Sequence, residues 1–182
     1  SAQKLAAMVL KERYLQGGLA GKSTYRRISA AAEAEIASRP ISGMPPWTRE
    51  LLATLPVDRW WAQRRRNHAH LSRTLANLAG IQVLQAEDGA TPFSLVLVCD
   101  TPGRRERLRG ALIEAGVYPA VLWTLGQVSP PGVSTESFDL SQRILSLHCD
   151  FRYQPRDMDR VADRVRAGLR ARGKSDSSGH LG

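Results

Sequence analysis

The sequence is poor in several features whose scarcity limits what the protein can do. Among its 182 residues there are two cysteines, Cys99 and Cys149, and they lack the CxxC spacing of a zinc site or a redox motif. Each ends an apolar, strand-like run, so both are predicted to be buried free thiols. No run of ~20 apolar residues could span a membrane. We therefore predict no metal site and no membrane partner.

Lysine is also scarce, with 4 lysines against 22 arginines at a formal net charge of +9. Such a charge favours anionic partners, nucleic acid among them. The dense arginine groups at 64–66 and 104–109 fall on predicted helices, where neighbouring charges point in different directions, and no aromatic residues interleave with them to stack bases. We do not expect nucleic acid as a partner, and a basic nucleic-acid or nucleotide binder remains only the third hypothesis.

The sequence contains no recognisable set of catalytic residues. His68 and His70 are two residues apart on one predicted helix and cannot face the same ion. His148 precedes Cys149 in a predicted strand, where adjacent side chains point to opposite faces. His148 is therefore predicted to be structural or substrate-facing, and no catalytic residue is assigned.

The segment GGLAGKS (17–23) is close to a phosphate-binding loop but is one residue too short, with Gln16 where the first glycine should stand. It also follows a helical pattern instead of a buried strand. We interpret the match as coincidence.

The first 80 residues are predicted to be helical. Helices are expected over 1–16, from a cap at Ser23 or Thr24 to Pro40, and over 47–55. A longer helix is expected over 57–79, closed by Gly80. Its predicted inner face consists of Val57, Trp60 or Trp61, Leu71, Leu75 and Leu78.

The remainder alternates strands and helices. Strands are predicted over 93–99, 117–124 and 144–149. A helix over 102–115 is capped by Thr101 and ended by Gly116, and 129–137 is predicted to be a loop. A final helix over 157–171 carries Met158, Val161, Val165 and Leu169 on one face. The predicted fold class is α/β (α+β), a small open sheet flanked by helices and preceded by a helical segment and a long connecting helix.

This order of elements resembles the C-terminal small domain of fold-type-I pyridoxal-phosphate (PLP) aminotransferases, and most nearly the DegT-type sugar aminotransferases. The resemblance covers roughly residues 57–171. Its pieces are the helix with Arg64, Arg65, Arg66 and Asn67, then PFSLVLV, IEAGVYPAVLW, SQRILSLHCDFRY and DMDRVADRV. Their order and spacing carry the resemblance, since none of them is diagnostic alone.

The resemblance implies a domain organisation. Residues 1–56 would be the tail of a large cofactor domain, 57–80 the connecting helix, 81–172 the small α/β domain and 173–182 a disordered tail. The chain, which does not begin with Met, would then be part of a longer protein whose N-terminal large domain is missing. Family members are expected to be cytoplasmic homodimers that act on small-molecule substrates.

The resemblance also implies PLP chemistry in the complete protein, with transfer of an amino group to a keto sugar or a similar carbonyl acceptor. Such chemistry needs a lysine that forms a Schiff base with the cofactor. Lys4, Lys11, Lys22 and Lys174 do not match the family position of that lysine. We therefore expect that this chain alone neither binds PLP covalently nor catalyses transamination.

Expected substrate-binding residues are Tyr118, Trp123, Arg152 and Tyr153, with Arg143 also beside the last strand. An arginine there could hold a carboxylate or phosphate by paired hydrogen bonds. Trp123 in the core and Arg152 in solvent are the competing interpretations. The resemblance also implies that Ser42 approaches the cofactor phosphate of a neighbouring subunit, and a simple turn between helices is the competing interpretation. A non-enzymatic interaction or regulatory module with the same fold is the alternative function.

Overall fold

The computed structural model describes residues 2–18, 21–40, 43–122, 125 and 131–171. Within these ranges the chain forms seven helices and three strands. In chain order they are α1 (Ala2–Leu15), α2 (Lys22–Ala37), α3 (Pro46–Ala53), α4 (Val57–Leu75), β1 (Ile81–Val83), β2 (Ser94–Cys99), α5 (Pro102–Glu114), α6 (Thr135–Arg143), β3 (Ile144–His148) and α7 (Pro155–Arg170). The chain divides into two compact units, residues 1–55 and 56–182.

The first unit is built on α1 and α2, which pack against each other. Their contact includes Tyr14 and Tyr25, whose ring centroids are 5.6 Å apart. Gly21 precedes α2 and supplies no side-chain cap. The predicted cap at Ser23 or Thr24 is therefore wrong, because the helix already includes Lys22. Since α1 is a helix, GGLAGKS does not follow the strand that a phosphate-binding loop requires.

The second unit contains an antiparallel sheet in the order β1-β2-β3. Leu95 pairs with Leu147, and Leu97 pairs with Leu145, in the centre of the sheet. Because side chains alternate along a strand, these four leucines lie on the same face. That face is buried under helices, and all four leucines are at most 1% exposed.

The core joins this face of the sheet to α4, α5 and α7. Leu71 and Leu75 come from α4, whereas Leu108 and Leu112 come from α5. The predicted apolar face of α7 is confirmed, with Met158, Ala162 and Val165 buried and Val161 and Leu169 packed against the same core. Burial of each large apolar side chain contributes roughly 1.5–3 kcal/mol, so this cluster is the main source of stability in the second unit.

The predicted strand over 117–124 is wrong in extent. Within 117–122 the structure has only an isolated bridge, in which Ala120 and Ser146 exchange backbone hydrogen bonds of 2.9 and 2.8 Å. Pro119, next to the bridge, has no N–H and cannot extend the ladder. Residues 123 and 124 lie outside the described residues.

Three further boundaries differ from the prediction. Helix α6 begins at Thr135, within the predicted loop 129–137, because the Ser134 hydroxyl accepts a hydrogen bond of 3.1 Å from the Ser137 N–H. Helix α4 ends at Leu75, four residues early, since the ψ of 145° at Ala76 and the φ of 60° at Asn77 both lie outside the right-handed helical region. Strand β1 was not predicted, because a segment of three residues is too short to show the alternation of apolar and polar side chains.

The other predicted elements are present. The predicted strand 93–99 is β2 without its first residue, and the last predicted strand is β3 without its final residue. Thr101 caps α5 as expected, with its hydroxyl accepting from the Arg104 N–H at 3.1 Å. The predicted fold class, a small open sheet flanked by helices, is confirmed. No helix among the described residues is both long and apolar enough to cross a membrane.

Candidate substrate-facing site

Two of the predicted site residues lie on the loop that follows β3, residues 149–154. Asn67 of α4, which is 1% exposed, fixes this loop. Its side-chain amide donates to the carbonyl oxygens of Asp150 at 2.8 Å and Tyr153 at 3.1 Å. Gln63 donates to the same Tyr153 carbonyl at 3.2 Å. The loop is therefore anchored to the helix, although it lies at the surface.

Asp150 forms an ion cluster at the start of this loop. Its Oδ2 lies 2.9 Å from Arg64 Nη2, and its Oδ1 lies 2.6 Å from Arg152 Nε. Partial burial alone would raise the pKa of Asp150, but the hydrogen bonds and charge of Arg152, together with Arg64, lower it below its usual value. The carboxylate therefore stays ionised and carries one negative charge between two positive ones.

Arg152 itself points toward solvent, with 73% of its side chain exposed. The hydrogen bond and charge of Asp150 raise the pKa of the guanidinium further. Since Arg64 shares the same carboxylate, the cluster retains a net positive charge. Arg152 is thus oriented by its neighbour and still able to bind an external anion.

Tyr118 and Tyr153 line one cavity of about 380 Å³, which we call the tyrosine cavity. It lies between the end of β3, the start of α7 and the segment after α5, and its wall also includes His148 and Arg160. Tyr118 is 70% exposed and Tyr153 is 38% exposed. Its lining combines the two tyrosines, His148, Arg160 and the acidic Asp157 with the apolar Leu147, Met158 and Val161. Such a mixture suits a polar small molecule.

Sequence reasoning missed Arg160 as a member of this site. The signal was present, because Arg156, Arg160 and Arg164 recur every four residues on the exposed side of α7. Within the described part of the chain, no carboxylate forms an ion pair with Arg160. His148 was assigned either a structural or a substrate-facing role, and it lies at the cavity wall.

Of the other predicted residues, Arg143 and Arg152 do not line this cavity, whereas Trp123 and Ser42 lie outside the described residues. Leu125 contacts the end of α6, where its backbone oxygen accepts a hydrogen bond of 3.0 Å from the Gln142 side chain. Arg143 is at that end too, paired with Asp139 and donating to the Cys99 carbonyl oxygen at 3.2 Å.

The two thiols are buried and unreactive. Desolvation raises the pKa values of Cys99 and Cys149 to about 11, so both stay protonated at neutral pH. Cys149 is fully buried beside the exposed His148, as the strand alternation predicted. Among the described residues, no group of three or more potential ligands could hold a metal ion.

The described lysines do not fit a covalent PLP site. Lys4 forms an ion pair with Glu33 and donates to Ser29 Oγ at 2.9 Å on the surface of the first unit. Lys11 and Lys22 are exposed on helices, and Lys174 is beyond the described residues. Neither Lys4, Lys11 nor Lys22 lines the tyrosine cavity. No step through PLP can therefore be derived from the described residues.

The second unit has the fold of a small α/β domain that also occurs in solved aminotransferases. One solved structure with this fold is DesI, determined in the presence of its TDP-sugar product. It is 25% identical, with a TM-score of 0.54, and the match covers 62% of this chain and 32% of DesI. DesV from S. venezuelae, solved in complex with a ketimine intermediate, is 23% identical with a TM-score of 0.57, over 69% of this chain and 35% of DesV.

The sugar aminotransferase CalS13 from Micromonospora echinospora has the same fold, at 19% identity and a TM-score of 0.51, over 62% of this chain and 32% of CalS13. The chain thus spans about a third of the length of these solved relatives. No curated protein is similar enough to count as a match. Residues 51–166 match the DegT/DnrJ/EryC1/StrS aminotransferase family, and the chain belongs to that family.

Proposed function

We propose that this chain is the small-domain portion of a PLP-dependent aminotransferase that transfers an amino group to a keto sugar or a similar carbonyl acceptor. In this proposal a large domain outside the chain supplies PLP and the Schiff-base lysine. Residues 1–56 are the tail of that domain, 57–80 connect the domains and 81–172 form the small domain. The complete protein is a homodimer in the cytoplasm, and the chain alone is not catalytically competent.

The observation that carries this proposal is the combination of the family match with the tyrosine cavity. A small domain that lacks its own nucleophile contributes to an aminotransferase by forming a wall around the substrate. Tyr118 and Tyr153 line the tyrosine cavity, and phenolic hydroxyls can donate hydrogen bonds to the hydroxyl and carbonyl oxygens of a sugar. Arg152, held by Asp150 on the adjoining loop, provides a charged donor for a substrate carboxylate or phosphate.

Trp123 and Ser42 retain their proposed roles, at the substrate and at the neighbouring subunit's cofactor phosphate. Both roles rest on the family resemblance alone. The described cavity gives support only for Tyr118 and Tyr153, and the ion cluster gives support for Arg152.

The proposal is tested by substituting Arg152 in the complete protein. Arg152→Ala removes a charge-assisted contact worth about 1.5–3 kcal/mol, so kcat/KM for transamination should fall by about tenfold to a hundredfold. The melting temperature should change little, because most of this side chain is exposed. Arg156→Ala, on the first turn of α7, is the matched control, since Arg156 is exposed and lies outside the tyrosine cavity.

Equal activity of the Arg152→Ala and Arg156→Ala proteins would remove Arg152 from the site. Absence of transamination by the complete wild-type protein, over a panel of amino donors and nucleotide-linked keto sugars, would favour the non-enzymatic module instead. The unsuitable positions of the described lysines are the observation that keeps this second function open.

A further inference from the structure

Helix α4 presents two aromatic–arginine pairs on neighbouring parts of its surface. Trp60 precedes Arg64 by four residues, and Trp61 precedes Arg65 by four residues, so each pair shares a face of the helix. Together with Thr91 and Phe151 these side chains line a groove of about 530 Å³, which we call the aromatic groove. It shares no lining residue with the tyrosine cavity.

Both side chains of the first pair, Trp60 and Arg64, already have partners within the protein. The ring of Phe151 stacks on Trp60 with centroids 4.7 Å apart and planes 14° from parallel. Beside it, the carboxylate of Asp150 forms the 2.9 Å ion pair with Arg64. Consecutive residues of one loop therefore supply an aromatic ring to the tryptophan and a carboxylate to the arginine.

The second pair has no such occupant among the described residues. Trp61 is 49% exposed, and no described aromatic ring stacks on it. Arg65 donates to Thr91 Oγ1 at 3.1 Å, which fixes the guanidinium. In the described ranges, however, Arg65 has no carboxylate partner within 4.0 Å, not even Glu87 or Asp88 of the adjoining loop.

The space beside the second pair is open. Gly89 lines the groove, and a Cβ atom added there would meet nothing within 4 Å. The groove volume is within the range of pockets that hold small organic ligands, about 300–1,000 Å³. An aromatic ring on Trp61 would gain offset stacking, and a carboxylate on Arg65 would gain charge-assisted hydrogen bonds.

We propose that the aromatic groove binds a small aromatic carboxylate, with its ring on Trp61 and its carboxylate on Arg65. The ligand's ring would stack on Trp61 as Phe151 stacks on Trp60. Its carboxylate would pair with Arg65 as Asp150 pairs with Arg64. This site differs from the proposed substrate wall in position and in chemistry, because it recognises a planar ring and one anionic group. All of the residues that line the groove belong to this chain.

The test is titration of the chain with 2-naphthoate by calorimetry, and by the indole N–H signals of its four tryptophans. Two analogues separate the two contacts, because 2-naphthamide lacks the charge and cyclohexanecarboxylate lacks the aromatic ring. We expect saturable binding of 2-naphthoate that shifts the Trp61 signal, and at least about tenfold weaker binding of each analogue.

Arg65→Gln and Trp61→Leu should each weaken 2-naphthoate binding by about tenfold or more. Arg73→Gln, on the exposed side of the same helix, and Trp47→Leu, at a tryptophan that is 66% exposed, are the matched controls. Arg65→Gln should leave the weak binding of 2-naphthamide unchanged, since that ligand has no carboxylate. No saturable binding, or equal losses in the site and control variants, would overturn the proposal.

Discussion

Asn67 shows how one buried polar side chain controls the position of candidate site residues. Its amide binds carbonyl oxygens on both sides of Arg152, so the helix holds the loop by its backbone while the site side chains stay free. The sequence could not identify this role. Asn67 stands beside three arginines on a helix that is polar along much of its length, and its partners are more than 80 residues away.

Replacement of Asn67 should therefore destabilise the second unit. Asn67→Ala leaves the carbonyl oxygens of Asp150 and Tyr153 without this donor, at a cost of about 1–3 kcal/mol in the free energy of unfolding. Arg66→Ala, at an exposed neighbouring position, should change it by less than about 0.5 kcal/mol. Urea denaturation of both variants is the measurement, and similar midpoints would show that the loop is held by other contacts.

We expect the burial of His68 to make the free energy of unfolding depend on pH. It is 8% exposed, and desolvation lowers its pKa in the folded chain below the usual value of about 6.5. The unfolded chain therefore binds the proton more readily than the folded chain does. As the pH falls below about 6.5, this difference reduces the free energy of unfolding, and the contribution is fully retained above that pH.

His68→Gln should flatten the decline in stability between neutral and mildly acidic pH, because glutamine does not titrate there. His148→Gln, at an exposed position, is the control and should preserve the decline. The free energy of unfolding is to be measured as a function of pH for both variants. An unchanged slope in the His68→Gln protein would assign the acid sensitivity to other groups.

For individual helices and strands, the sequence was most informative where a helix cap or a long stretch of regularly spaced apolar residues is present. Thr101 and Pro102 defined the start of α5, and the spacing of Met158, Val161 and Val165 defined the inner face of α7. The sequence was least informative where a strand or bridge forms only through backbone pairing with a segment that is distant in the chain. The bridge of Ala120 depends on the edge of β3, and β1 exists only because Leu97 to Cys99 lie beside it.

The cap of α5 allows a direct test of this local reasoning. Thr101→Ala removes the acceptor of the Arg104 N–H and should lower the free energy of unfolding by about 1 kcal/mol. Thr101→Ser retains a hydroxyl and should be close to wild type. Thermal unfolding of the pair separates the hydrogen bond from the loss of a methyl group, and equal effects would contradict a capping role.

At the scale of the whole molecule, the order of elements predicted the family better than any single motif did. The match over residues 51–166 includes α4, the three strands, α5 and α6 in full, and most of α7. The site was less predictable. Tyr118 and Tyr153 come together in one cavity, but Arg160 joins them only through the packing of α7, and Asp150 rather than the substrate is the present partner of Arg152.

We propose that this chain carries the small domain of an aminotransferase and lacks the lysine that would hold the cofactor. The most direct test is to incubate the chain with PLP, reduce it with borohydride and map the modified peptides by mass spectrometry. We predict only scattered, substoichiometric adducts on exposed lysines such as Lys11 and Lys22. Labelling of one specific lysine in every chain would contradict the claim.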